Sequence, residues 1–284
     1  MATVRLTMSQ ALTRWMTAQS IEQLDGSIEP AFAGVWAIFG HGNVAGLGEA
    51  LYGVRDQLPT YRGHNEQSMA HIAIAYAKQK QRRRMMAVTT SIGPGATNLA
   101  TAAALAHVNR LPVLLLPGDV FATRAPDPVL QQVESFADGT VSANDCLRPI
   151  SRYFDRITRP EQLLQALPKA MSVLTDPADC GPVTLGLCQD VQAEAWDYPE
   201  SFFAPRVWHM RRISPDAAEL SRAVETLKSA KRPMIVAGGG VRYSGASQAL
   251  TAFADAAGIP VAATQAGKSS FVEAHPMYVG SLGV

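Results

Sequence analysis

The most constraining feature of this sequence is a set of apolar runs that each end in a glycine-rich turn and lead into a helical pattern. The run GVWAIFG (34–40) is followed by GHGN, and MMAVTTS (85–91) is followed by GPGATN. A third run, LPVLLLPGD (111–119), is apolar almost throughout, as strands inside a parallel sheet are. Strands that alternate with helices in this way predict an α/β fold with a mostly parallel sheet.

Two further runs extend this first block. RYFDRI (152–157) and GPVTLGLCQD (181–190) are predicted strands. Between them, PEQLLQALPKAMSVLTD (160–176) is a predicted helix with a proline near its start. We therefore predict a first α/β domain over residues 1–195.

A second block follows an irregular segment. Residues 196–214 carry prolines and aromatic residues without a helical or strand period, which predicts a linker. Helical and strand patterns alternate again over 215–284. This block is shorter than the roughly 100–150 residues of a usual domain. We expect it to be the start of a truncated α/β domain of Rossmann-like type.

Composition excludes several classes of function. Lys and Arg number 25 and Asp and Glu number 24, so no net charge attracts nucleic acid or an anionic membrane. No apolar run reaches the ~18 residues of a membrane span, and the N-terminus lacks the apolar centre of a signal peptide, so we expect a cytoplasmic protein. The 3 cysteines show no CxxC pairing, and no metal site is predicted from the residues present.

Three glycine-rich turns are candidate ligand sites: 39–46, 91–98 and 237–245. Such turns lie at the carboxyl ends of parallel strands, where ligands bind, and their N–H groups can hold an anion. The alternative is that glycine merely permits each turn. None of the three has the GxGxxG fingerprint with a later acidic residue, and the sequence has no GxxxxGK[ST] loop, which disfavours those two classes of nucleotide enzyme.

Glu66 stands where a polar loop meets an alanine-rich helix, in YRGHNEQSMAHIAIAYAK (61–78). A carboxylate in the first turn of a helix is stabilised by about 0.3–1 kcal/mol, so its position alone favours a structural role. The alternative is that Glu66 is aimed at a group that the protein must ionise. In that case we expect Met69 and Ile72 to form apolar walls beside the carboxylate.

Three segments together resemble the pyrimidine-binding domain of the thiamine-diphosphate-dependent enzymes: FGHGNVAGLGEAL, RGHNEQSMAHIAIAYAK and TTSIGPGATNLATAAALAHVNRLPVLLLPGD. In that superfamily a glutamate in the pattern [HN]-E-x-x-x-x-H-x-A contacts the aminopyrimidine of the cofactor. Glu66, His71 and Ala73 match the pattern. The resemblance implies that Glu66 binds the cofactor and acts catalytically, by helping to ionise the thiazolium C2–H.

The resemblance also implies further site residues. His41, Ser91 and Asn98 occupy loop positions that line the pyrimidine in relatives, and Asn144 is implied as a substrate contact. The implied cofactors are thiamine diphosphate and Mg²⁺, which the superfamily holds with a GDG motif and a later asparagine. The sequence has no GDG motif. We therefore expect the metal ligands beyond residue 284 and expect this piece to be inactive alone.

Further segments, such as LLLPGDVFATRAPDPVLQQVE (114–134) and RPISRYFDRITRPEQL (148–163), resemble members of the superfamily that hydrolyse a C–C bond of a cyclic dione in inositol breakdown, and this likeness runs through essentially all of 1–284. It implies a small-molecule dione substrate and a homodimer or homotetramer with active sites at subunit interfaces. Three alternatives stay open: a carboligase like acetolactate synthase, a non-catalytic dimerisation fragment, and a flavin or nicotinamide binder using 237–245. The acetolactate synthases usually have histidine where this chain has Asn65.

Overall fold

The computed structural model describes residues 2–135 and 137–283. The chain divides into two compact units, Met1–Met210 and Arg211–Val284. In the first unit the strands are, in chain order, β1 Thr3–Thr7, β2 Gln19–Glu22, β3 Ile28–Pro30, β4 Phe32–Ala37, β5 Thr60–Arg62, β6 Met85–Thr90, β7 Val113–Asp119, β8 Tyr153–Ile157, β9 Pro182–Cys188, β10 Ala195–Pro199 and β11 Arg206–Trp208.

The helices of the first unit lie between these strands. The α-helices are α1 Met8–Thr17, α2 Gly40–Asn43, α3 Glu49–Gly53, α4 Glu66–Gln79, α5 Pro94–Thr97, α6 Ala100–Asn109 and α7 Leu163–Leu174. A π-helical turn, Val44–Gly48, joins α2 to α3. Short 3₁₀ helices cover Ala143–Ile150, Pro160–Gln162, Val191–Ala193 and Glu200–Phe203.

Six of the strands form one sheet in the spatial order β5-β4-β6-β7-β9-β8, and every neighbouring pair is parallel. All residues of β6, β7 and β9 are buried, because helices cover both faces of a sheet of this type. The continuous apolar runs at 85–91, 111–119 and 181–190 are these three strands. The predicted α/β fold with a mostly parallel sheet is confirmed.

Helix α4 presents a different face to the core than its sequence pattern predicted. Its buried side chains include Met69, Ala70, Ala73 and Ala77, and α4 packs chiefly on β6. Met69 is 1% exposed, whereas Ile72 is 46% exposed. The expectation for Ile72 was wrong because the small alanines let the helix approach the sheet along their own stripe, which turns Ile72 away from it.

The predicted linker differs from the structure over most of its length. Strand β10 pairs antiparallel with β1, and β11 pairs parallel with β2. Tyr198, in β10, is fully buried, and its hydroxyl donates to the Pro160 carbonyl at 2.9 Å. Phe203, between the two strands, is also buried. The aromatic residues that gave 196–214 no period therefore pack into the core of the first unit. The boundary between the units falls later, after Met210.

The second unit is smaller. It contains helices α8 Ala217–Ser229, α9 Gly239–Tyr243 and α10 Ser247–Ala257, with strands β12 Ile235–Ala237, β13 Val261–Thr264 and β14 Tyr278–Leu282. The three strands form a parallel sheet in the order β12-β13-β14. Its core is a small cluster of Ala237, Ala254, Val261 and Phe271. Across both described ranges, no helix has the length and apolar character that a bilayer crossing requires.

Candidate functional site

The candidate site lies at the carboxyl ends of β4, β5 and β6, which are neighbours in the sheet. The chain runs from β4 to β5 on one side and then returns to β6 on the other side of β4. Such a reversal of strand order opens a crevice at the carboxyl edge, where open α/β sheets bind ligands. The turn 39–43 follows β4, Glu66 follows β5, and the turn 91–98 follows β6.

Glu66 is the first residue of α4 and is partly buried. Its Oε2 accepts a hydrogen bond from Asn98 Nδ2 at 2.8 Å. Within the described residues its Oε1 has no hydrogen-bond partner. A Cβ added to Gly95 would lie 3.2 Å from that Oε1, so the glycine leaves the space beside the carboxylate open. The structure thus brings two predicted site residues, Glu66 and Asn98, into direct contact.

Ser91 connects this pair to the turn after β4. Its side chain is almost fully buried, and its Oγ donates to Gln131 Oε1 at 3.2 Å. Gly40 lies against Ser91 with φ +52°, and a side chain at Gly40 would overlap the Ser91 hydroxyl. Only glycine combines this backbone conformation with so close an approach. The two glycine-rich turns therefore pack directly on each other.

His41 follows Gly40 in the turn. Its backbone carbonyl accepts a hydrogen bond from Gln189 Nε2 at 3.4 Å. Its ring Nε2 is buried and has no partner among the described residues. A buried polar atom without a partner is uncommon and indicates strain, function or an unseen ligand.

A cleft of about 600 Å³ lies between the ends of β4 and β5. Its polar side chains belong to His41, Thr60, Arg62 and His64, and its lining contains no carboxylate. Arg62 has no ion pair within the described part of the chain. Glu66 lies outside the lining, two residues beyond His64. The cleft walls are completed by Ala37, Ile38, Phe39, Gly40, Val44 and Gly63.

Arg62 and His64 were missed at the sequence level. No motif marks them, because a short edge strand and the residues between it and the next helix are normally read as a loop. Their place in the cleft depends on the parallel pairing of β5 with β4, which sets Arg62 opposite Ala37. That pairing is a tertiary contact that the local sequence did not reveal.

The structure does not bring Asn144 to this cleft. Asn144 is 1% exposed, and its Nδ2 donates to the Gly118 carbonyl at 3.0 Å and to Asp119 Oδ2 at 3.1 Å. Its amide nitrogen is thus bonded inside the protein, and its Oδ1 is buried without a partner among the described residues. The structure therefore differs from the predicted substrate contact, because Asn144 supports the end of β7 instead.

Asp119 is the centre of that second cluster. Its side chain is fully buried and accepts hydrogen bonds from Arg156 at 2.9 and 3.1 Å and from Ser142 Oγ at 2.9 Å. Burial lowers the pKa of Arg156, but its hydrogen bonds to Asp119 and the charge of Asp119 outweigh burial and raise that pKa overall. The Arg156 guanidinium therefore stays charged beside Asp119.

A metal site is not evident in what the structure describes: residues 2–135 and 137–283 contain no group of three or more His, Cys, Asp or Glu side chains that could hold an ion. The magnesium ligands predicted beyond residue 284 lie outside the described residues.

Comparison with known proteins defines the class to which this fold and site belong. The thiamine pyrophosphate enzyme N-terminal TPP binding domain matches residues 33–138, and the thiamine pyrophosphate enzyme central domain matches residues 220–284. Together the two matches cover more than half of the chain. The chain therefore belongs to the thiamine pyrophosphate enzyme family, and the predicted pyrimidine-type domain is confirmed.

Individual relatives resemble the chain over its whole length. The 3D-(3,5/4)-trihydroxycyclohexane-1,2-dione hydrolase of Geobacillus thermodenitrificans is 53% identical over 284 residues, and the proteins of this name in Bacillus cereus (strain AH820) and Bacillus anthracis are each 52% identical. Each match covers 100% of this chain and 44% of the relative. The chain thus spans less than half the length of these curated relatives.

The residues at the site fit the aminopyrimidine part of thiamine diphosphate. Glu66 offers a carboxylate oxygen with no partner inside the described chain, and Gly95 leaves room beside it. A carboxylate held on one oxygen by Asn98 can accept a hydrogen bond from a ring nitrogen on the other. Ser91 and His41 lie in the adjoining turns, so four of the five predicted side chains lie at the carboxyl ends of β4, β5 and β6.

Proposed function

We propose that this chain supplies the pyrimidine-binding part of a thiamine-diphosphate- and Mg²⁺-dependent hydrolase that opens the ring of 3D-(3,5/4)-trihydroxycyclohexane-1,2-dione in inositol breakdown. The observation that carries the proposal is the arrangement of Glu66, with Oε2 held by Asn98 and Oε1 unpaired beside Gly95. The names of the relatives and their identity over the whole chain support the choice of substrate.

Glu66 is the acid–base group in this proposal. When bound, thiamine diphosphate supplies a carbon nucleophile that adds to a ketone and stabilises the carbanion released by C–C cleavage. Glu66 Oε1 holds the proton that is shared with the aminopyrimidine, and the hydrogen bond from Asn98 keeps the carboxylate in one orientation. The partly buried position of Glu66 limits competition from water for that proton.

The net reaction is a hydrolysis. Water is added across one ring C–C bond of the dione, so one carbon takes the hydroxyl and becomes a carboxylic acid while the other takes hydrogen. The product that the resemblance implies is the acyclic acid 5-deoxy-glucuronate. Such a reaction belongs to the hydrolases that act on C–C bonds in ketonic substances.

The cleft between the ends of β4 and β5 has the chemistry to receive a hydroxylated ring. His41, Thr60 and His64 offer hydrogen-bonding groups, while Ile38, Phe39 and Val44 provide apolar contact. Arg62 adds a permanent positive charge that no carboxylate neutralises in the described part of the chain. A site with unpaired donors favours a substrate rich in hydroxyl and carbonyl oxygens over an apolar ketone.

The remaining parts of the proposal follow from the same relationship. Mg²⁺ would be bound by residues outside 1–284, together with the diphosphate. The protein would act in the cytoplasm as a homodimer or homotetramer with active sites at subunit interfaces. A carboligase of the acetolactate synthase type is the second candidate. Supplying the full-length gene product with pyruvate or with the cyclic dione separates the two, since the hydrolase consumes only the dione.

The decisive experiment removes the charge of Glu66. In the full-length gene product, Glu66→Gln should slow hydrogen–deuterium exchange at thiamine C2 by about 10²–10⁴-fold, the range typical of a lost acid–base group. Exchange is followed by proton NMR of the cofactor after acid quenching. Exchange at the wild-type rate in Glu66→Gln would disprove the role of Glu66.

Glu49 provides the matched control. It is also the first residue of a helix, α3, but it is exposed. If Glu66 served only to stabilise a helix start, Glu49→Gln and Glu66→Gln would have equally small effects on C2 exchange. The proposal expects exchange to stay at the wild-type rate in Glu49→Gln alone.

A further inference from the structure

Gln192, a buried residue far along the sequence, is hydrogen-bonded to the turn that carries His41. Gln192 lies in the 3₁₀ helix after β9 and is 1% exposed. Its Nε2 donates to the Gly42 carbonyl at 3.0 Å, to Asn43 Oδ1 at 3.1 Å and to the Leu187 carbonyl at 3.2 Å. Its Oε1 accepts from the Leu47 N–H at 3.2 Å. One side chain thus binds both ends of the segment 42–47.

Asn43 connects the same turn to the neighbouring strand, β6, by hydrogen bonds. It is fully buried, and its Nδ2 donates to Thr89 Oγ1 at 2.6 Å and to the Thr90 carbonyl at 2.7 Å. Gln192 is the donor to its amide oxygen. The turn after β4 is therefore fixed to β6 by Asn43 and to the chain after β9 by Gln192.

The backbone in this segment is unusual. Val44–Gly48 is a π-helical turn, and such turns occur often at functional sites. The N–H of Leu47, inside it, is bonded to a side chain from another part of the fold. Gly46 faces Gln192 so closely that an added Cβ would lie 2.6 Å from Gln192 Cβ. The turn and the side chain of Gln192 are therefore closely packed against each other.

We propose that Gln192 is a positioning residue that holds the turn 40–47 so that His41 and Val44 line the cleft. Two hydrogen bonds hold the backbone at His41: Gln192 donates to the Gly42 carbonyl, and Gln189 donates to the His41 carbonyl. The ring of His41 itself has no hydrogen bond within the described chain that would fix its place. Its position therefore depends on the backbone on either side of it. The consequence for catalysis rests on the proposed function, whereas the placement of His41 does not.

Gln19 provides a matched control for a purely structural role. It is also 1% exposed, its Nε2 donates to the Trp15 carbonyl at 2.9 Å, and its Oε1 accepts from Trp208 Nε1 at 3.0 Å. It lies in β2, in a different sheet from the candidate site. Replacing either glutamine with methionine keeps the approximate volume and removes the hydrogen bonds.

The experiment compares Gln192→Met and Gln19→Met in the full-length gene product. Modification of His41 by diethylpyrocarbonate is measured by mass spectrometry, with the exposed His209 as internal reference. We expect His41 to react at least about tenfold faster in Gln192→Met, the factor that losing one or two buried hydrogen bonds gives to a local opening. Gln19→Met should leave the ratio of the two rates unchanged.

Kinetics provide the second readout. Gln192→Met should raise KM for the cyclic dione more than it lowers kcat, because a displaced cleft wall weakens substrate binding before it affects the chemistry. Gly46→Ala disturbs the same contact, because its methyl group displaces Gln192. This variant replaces Gln192→Met in the experiment if Gln192→Met fails to fold. It should give the same changes.

Two results would overturn the inference. One is a folded Gln192→Met protein in which His41 protection and KM equal those of the wild type. The other is faster His41 modification in Gln19→Met as well, which would indicate general loosening. Neither outcome bears on Glu66, whose role is tested by C2 exchange, so a failure of this inference is distinguishable from a failure of the proposed function.

Discussion

The carboxyl edge of the central sheet has two halves that use polar residues in opposite ways. In the open half, at the ends of β4, β5 and β6, Glu66 Oε1 and His41 Nε2 have no partners among the described residues. In the saturated half, at the ends of β7, β8 and β9, Asp119 is bonded by Arg156, Ser142 and Asn144. Apart from the Asn144 amide oxygen, which is buried without a partner, this second cluster satisfies its members.

The two halves differ in whether their polar side chains still have hydrogen-bonding capacity for a ligand. An unpaired buried polar atom costs free energy, which a bound ligand can recover. A buried charge whose partners are already supplied has little left to offer a ligand, and removing one member of such a pair is expensive. Asn98 and Asn144 were both predicted site residues, and they lie in different halves: Asn98 donates to Glu66, whose Oε1 has no partner among the described residues, and Asn144 donates to Asp119.

The sharpest test removes the centre of the saturated half. Asp119→Ala leaves Arg156 without its counter-ion and should lower the free energy of unfolding by about 3 kcal/mol, the lower end of the range for broken buried pairs because Arg156 stays 25% exposed. Urea unfolding followed by tryptophan fluorescence measures it, since all 4 tryptophans lie in the first unit.

The exposed pair Arg5–Asp197 is the control for this change. Both side chains are more than half exposed, so Asp197→Ala should cost at most about 1 kcal/mol. Equal losses for Asp119→Ala and Asp197→Ala would show that the saturated half is not a special source of stability. The comparison between the halves would then lose its energetic basis.

A second test addresses the contact between the two turns of the open half. Gly40→Ala should cost about 2 kcal/mol, because the residue has φ +52° and its methyl group would overlap the Ser91 hydroxyl. Gly26→Ala separates the two causes, since Gly26 has φ +83° with nothing within 4 Å of an added Cβ. Chemical denaturation of both variants should give the larger loss for Gly40→Ala, and equal losses would mean that the turns are not in tight contact.

The smallest expected effect concerns Cys188, which pairs with Asp119 across β9 and β7. Burial, reinforced by the charge of Asp119, raises the pKa of this thiol. A group whose pKa is raised by folding stabilises the protein below its unfolded-state pKa and loses that contribution as pH rises. At pH 10, one unit above the unfolded value of 9.0, the loss should be about 1.4 kcal/mol.

Stability curves between pH 8 and 10 for the wild type and Cys188→Ala check this expectation. The variant starts from a lower stability because it loses buried volume, but its decline with pH should be shallower. Parallel curves for the two proteins would mean that the thiol ionises as easily in the folded chain as in the unfolded one. The saturated half would then be more open to water than its burial indicates.

Much of the fold could be predicted because the central strands are buried on both faces. A strand of that kind must be apolar along its whole length, and the run 111–119 satisfies this requirement without any other information. The segment 196–208 failed the same kind of analysis, since its aromatic residues are spaced for contacts with α1 and β2 and not for a period of their own.

By itself, the sequence determined the α/β class, the glycine-rich turns and the position of Glu66 at a helix start, because each depends on residues that are close together in the chain. Only the tertiary structure decided which polar residues meet. Gln192 reaches Gly42 across 150 positions, and Asn144 reaches Asp119 instead of the cleft. Whether a polar side chain is free for a ligand or used inside the protein depends on partners that folding brings from elsewhere, and no local pattern records them.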